Sequence, residues 1–92
     1  MSTNVRQAID QRLDYLTEAW CGLPRAEREI DQWDLIDLMD YVEEWTPKED
    51  LAADLRRLIA SPDATEEQQR RYERLERLMR ANRPILDRWR AS

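Results

Sequence analysis

Asp34, Asp37, Asp40 and Glu44 stand three and four residues apart, a spacing that lines carboxylates along one side of a helix. Carboxylate oxygens so arranged are hard ligands of the kind Mg²⁺ takes, and small all-α nucleotide pyrophosphohydrolases use paired acidic helix motifs for that purpose. Such chemistry needs a second Glu/Asp pair three residues apart on a matching helix. Glu49, Asp50 and Asp54 do not reproduce one, so the acidic stripe reads as a solvated or protein-binding helix face, and a Mg²⁺-dependent nucleotide hydrolase is only the minor alternative.

Other catalytic chemistry lacks its parts. The chain contains no His, one Cys and one Gly, which removes the usual neutral-pH general base, a structural zinc site and a glycine-rich phosphate loop. Ser2, Ser61 and Ser92 have no His partner and no nucleophile-elbow context. Cys21 cannot form an intrachain disulfide and reads as a small apolar residue near a helix end. No catalytic, cofactor or metal residue is assigned, and the expected protein is not an enzyme.

Two groups of residues remain as candidates for binding. Four Trp in 92 residues is a high count for a residue enriched in binding hot spots. Trp20, Trp45 and Trp89 fall near predicted helix ends and suit core closure. Trp33 falls on the same helix side as Asp37, Asp40 and Glu44, which makes these four the candidate partner-binding set. Leu75, Met79, Leu86 and Trp89 follow a stripe along the last helix and form the candidate self-association set.

The elements that position them are helical. With 38% charged residues, one Gly and no Phe, the composition suits exposed helix faces and argues against turn-rich β architecture. The expected fold is all-α, a single domain over residues 1–92 built as a small bundle of about four amphipathic helices.

The first helix is expected over residues 4–21, capped by Asn4, with Val5, Ile9, Leu13, Leu16 and Trp20 on one face and Gly22 as a left-handed stop. Arg12 falls inside that apolar arc, so its guanidinium must snorkel or meet a carboxylate. A second helix over residues 31–45, starting as early as Pro24 in one variant of the reading, turns Leu35, Leu38, Met39, Val42 and Trp45 inward, with Ile36 on the margin. Thr46-Pro47-Lys48-Glu49 has the form of a capping box and starts the third helix at Pro47, with Leu51, Leu55, Leu58 and Ile59 inward and an end before Pro62. The fourth follows an Asp63 cap. It carries Tyr72, Leu75, Leu78, Met79, Ile85, Leu86 and Trp89 inward, four Glu-to-Arg pairs at i, i+4 beginning with Glu66/Arg70 and Glu67/Arg71, and a kink or break at Pro84. Asp14-Tyr15-Leu16 ahead of Trp20 echoes Asp40-Tyr41-Val42 ahead of Trp45, weakly enough to be chance.

Size and charge bound the partners. Residues 1–60 hold fourteen acidic and seven basic side chains, whereas residues 61–92 hold six and eight. The negative charge would steer a basic protein toward the second helix and repel nucleic acid. A core of this size leaves a lone monomer marginal, and the last helix, about 40 Å long if continuous, would overhang the first. A homodimer through that overhang is therefore expected. No apolar run resembles a signal peptide or membrane span, which points to the cytoplasm, and the near-exclusive use of Arg over Lys suggests a bacterial or phage genome. The expected function is a non-catalytic, self-associating protein-interaction or regulatory module. The runner-up is an acidic inhibitor or antitoxin-like partner of a basic nucleic-acid-handling protein.

Overall fold

The computed structural model describes residues 2–91 and, among them, no strand. Helices α1 (Ser2–Cys21), α2 (Leu23–Glu29), α3 (Leu35–Glu43), α4 (Trp45–Ile59) and α5 (Glu66–Ala91) follow one another, with a 3-10 turn, Ile30–Gln32, between α2 and α3. The all-α class holds; the helix count differs because a short helix, α2, precedes the expected second helix, which is itself shortened to α3, so that the longer variant from Pro24 is divided. Asp34 adopts an extended conformation and accepts a hydrogen bond from the Asp37 amide at 2.9 Å. That cap starts a nine-residue α3 and separates it from α2.

The long helices α1, α4 and α5 form the body. Gln68 and Arg71 at the start of α5 meet Arg6, Asp10 and Asp14 near the start of α1, while Arg88 near its end meets Glu27 of α2. Thus α5 runs parallel to α1. Helix α4 returns against both, since Glu49 near its start pairs with Arg90 at 3.0 Å and Arg6 donates to the Asp63 carbonyl beyond its end. Ile9, Leu13, Leu16, Trp20, Leu55, Leu75 and Leu86 fill the space between them, as their helical spacing predicts.

The expected overhang of α5 is covered by the chain itself. Helix α2 continues where α1 ends and lays Leu23 and Ala26 into the core beside α5. Two residues that the expected core omitted therefore extend the body to 46 × 20 × 18 Å. Pro84 neither ends nor divides α5. It lies on the exposed side, where water can satisfy the carbonyl that loses its amide partner.

Three local readings are corrected. Gly22 has φ −76° and ψ −16°, so no left-handed stop forms, and the chain passes from α1 to α2 in right-handed geometry. Cys21 is exposed rather than packed. Arg12 neither snorkels free nor finds a carboxylate; its Nη1 donates to the Ala8 carbonyl of its own helix at 3.3 Å while Nε stays buried without a partner.

The caps move as well. Helix α4 begins at Trp45, Glu44 is its N-cap without a side-chain bond, and Thr46 is exposed inside the helix. Burial of Trp45 draws the helix start upstream, and Pro47 is tolerated because a first-turn amide has no partner to lose. Thr65 and Gln68 form the capping box instead of Asp63 and Glu66: the Gln68 amide donates to Thr65 Oγ1 at 3.1 Å and the Thr65 amide donates to Gln68 Oε1 at 3.0 Å. Thr65→Ala is expected to cost about 0.5 to 2 kcal/mol, and Thr46→Ala no more than about 0.5 kcal/mol, as read from denaturation midpoints at unchanged slope. Equal losses would refute this assignment.

Candidate functional site

Helix α3 carries five large apolar side chains in nine residues, more than its contacts with α4 and α5 can cover. Leu38 and Val42 are half-buried, but Leu35 and Ile36 are each 70% exposed and Met39 is 53% exposed. The inward placement expected of Leu35 and Met39 is thus overturned. The reason lies in the aromatic residues. Tyr41 meets Trp33 edge-on at 5.1 Å, Trp89 at 5.8 Å and Trp45 at 6.2 Å, and Trp45 meets Trp20 at 4.8 Å. Such ring pairs add about 0.5 to 1.5 kcal/mol each beyond area burial. Docking through Tyr41 rotates the aliphatic stripe of α3 outward. Burial among these rings pushes the Tyr41 phenol pKa up.

The four candidate partner-binding residues come together. Trp33, Asp37, Asp40 and Glu44 line, with Tyr41, one shallow depression of about 260 Å³. Trp33 is half-buried there, covered on one side by Tyr41. Lys48 approaches Glu44 at 3.9 Å and lies over the Trp45 ring at 5.1 Å. Asp34 is turned to its capping role. Among the described residues no three Asp, Glu, Cys or His side chains converge as metal ligands would. The Ser92 reading, and that of the Ser2 side chain, fall outside what is described.

The self-association set is placed differently. Leu75, Met79 and Leu86 are buried in the chain's own core, and Trp89 is half-covered by Tyr41, so they present no continuous exposed stripe. Trp89 borders a surface groove of about 430 Å³ between α3 and the end of α5, whose floor is Leu35, Leu38, Met39 and Val42. Glu43 and Arg90 stand at its edge, Arg90 engaged by Glu49. The sequence carried a usable signal for this groove: Asp34-x-x-Asp37 marks a helix start that shortens the element and frees its phase from that of α2.

Comparison with protein families, curated proteins and solved structures finds no match to this chain. Among the described residues no helix is long and apolar enough to cross a membrane.

Proposed function

We propose that this chain is a non-catalytic protein-binding module and that α3 is its docking surface. The observation behind it is the joint exposure of Leu35, Ile36 and Met39 on one short helix. Contiguous apolar exposure of this kind is uncommon on a monomer surface unless something covers it, and full burial of each side chain contributes about 1.5 to 3 kcal/mol. Met39 and the half-buried Trp89 add an adaptable contact and a rigid one, the mixture that protein-binding surfaces favour.

Two measurements test this reading. Changing Leu35, Ile36 and Met39 together to Gln is expected to alter folding stability by no more than about 0.5 kcal/mol per site. A photoactivatable side chain at Ile36 is expected to cross-link another polypeptide in the cells that make the protein, and one at the exposed Glu67, on the first turn of α5, is not. A triple variant that loses much more stability than this, or equal cross-linking from both positions, would sink the proposal.

A further inference from the structure

We infer that the occupant of the α3 groove is a basic amphipathic helix of another protein, seated with its apolar side chains on Leu35, Met39 and Trp89 and its cationic side chains over Asp40 and Glu43. This rests on α3 being the docking surface and adds the chemistry of what docks there.

Charge selects the sign of the partner. Residues 31–44 contain six acidic side chains and no basic one. At about 100° per residue, Glu43 falls between Met39 and Ile36 on α3, and Asp40 lies just beyond Ile36. Carboxylates therefore sit within and beside the exposed apolar strip. The nearby cations are committed elsewhere, Arg90 to Glu49 at 3.0 Å and Lys48 to Glu44 and the Trp45 ring. A second copy docked α3 to α3 would set Asp37, Asp40 and Glu43 against the same three carboxylates, and like-charge juxtaposition across an interface costs several kcal/mol. Nucleic acid and anionic lipid surfaces are repelled for the same reason.

Backbone chemistry selects the shape. The described residues contain no strand and hence no open sheet edge, so an extended peptide would find no ladder for its amides and carbonyls. A helix satisfies its own backbone and can present apolar anchors at i, i+3, i+4 and i+7 to a groove of this kind. The groove lies between two helices, α3 and the end of α5, the setting that such a third helix fits.

The test uses the full chain and three labelled peptides about five turns long: an amphipathic Leu/Arg helix, the same composition in scrambled order, and a Leu/Glu helix of the same pattern. Fluorescence anisotropy is expected to show binding of the Leu/Arg helix that weakens as salt rises, with the other two weaker by about tenfold or more. Leu35→Gln with Met39→Gln should weaken the Leu/Arg helix by about tenfold, and Asp40→Lys with Glu43→Lys should turn the preference toward the Leu/Glu helix, with circular dichroism confirming that both variants fold. Equal binding of ordered and scrambled peptides, retained preference after the charge swap, or a dimer by light scattering that Met39→Gln dissociates would overturn the inference. If these discriminations fail while Ile36 still cross-links a partner, the docking surface stands and only its basic helical occupant falls; if Ile36 cross-links nothing, the docking surface falls with it.

Discussion

Replacing Trp45 with Ala is expected to lower folding stability by about 3 to 5 kcal/mol, a large share of the roughly 5 to 15 kcal/mol that holds a domain of this size together. Trp45 is 1% exposed and stands where three elements meet, edge-on to Trp20 of α1, within ring contact of Tyr41 of α3, and itself the first residue of α4. Truncation empties a space that three helices would have to collapse together to refill. Trp45→Phe keeps an aromatic ring against Trp20 and Tyr41, so its cost should stay below about 1.5 kcal/mol. Urea titrations of both variants check this. A loss under about 1.5 kcal/mol for the Ala variant would mean that α3 and α4 hold their places without the ring.

Gln68→Glu, a change of a single terminal group, is expected to cost about 3 kcal/mol at neutral pH. Gln68 is 5% exposed. Its side-chain amide donates to the Arg6 carbonyl and to Asp10 Oδ1, both at 2.9 Å, while its oxygen accepts from the Thr65 amide. A carboxylate keeps the acceptor but loses both donors and faces Asp10, whose Arg71 partner is already shared with Asp14. Burial and the neighbouring negative charge raise the new carboxyl's folded pKa above its unfolded value of about 4.3. The folded state then keeps its proton longer than the unfolded state does. The deficit relative to the parent chain is therefore small below about pH 4 and grows as pH rises through the raised folded pKa. A deficit that does not vary with pH would show that the clasp works by shape alone.

How far the sequence reveals this molecule depends on what each residue's placement required. Ile9, Leu13, Leu16 and Trp20 recur at helical spacing on a helix covered along its length, so periodicity alone locates them in the core. The same rule puts Leu35 and Met39 on one face of α3 and says nothing about what lies opposite. That is decided by Tyr41 finding Trp33, Trp45 and Trp89, residues brought together only in three dimensions. Leu23 and Ala26 were hidden in a short, charged segment, Leu23–Glu29, too brief to display a period. Thr65-Glu66-Glu67-Gln68 was legible as a capping box but overlaps the alternative of an Asp63 cap with Glu66, and the bonds of Gln68 to Arg6 and Asp10 of α1 decide between them. The candidate site was half legible. Asp37, Asp40 and Glu44 share a surface as their helical spacing predicts, and Trp33, which lies outside the helix, joins them through its contact with Tyr41, whereas the apolar groove beside them follows from docking that periodicity cannot express.

The parallel pairing of α1 with α5 sets the order in which the chain can acquire its structure during synthesis. Contacts between them join residues 57 to 62 positions apart, so the interface that buries Ile9, Leu13 and Leu16 closes a loop of most of the molecule. In a bundle whose neighbours in sequence are neighbours in space, each new hairpin covers the helix before it. Here α1 precedes the other helices and its cover is completed last, with only α2 and α4 against it until α5 leaves the ribosome. Its interval of exposure is the translation time of some fifty residues, several seconds at about 5 to 20 residues per second. Completion of the core around α1 thereby waits on synthesis of α5, and cutting the chain before Leu75 would uncover the apolar face of α1 rather than merely trim the last helix.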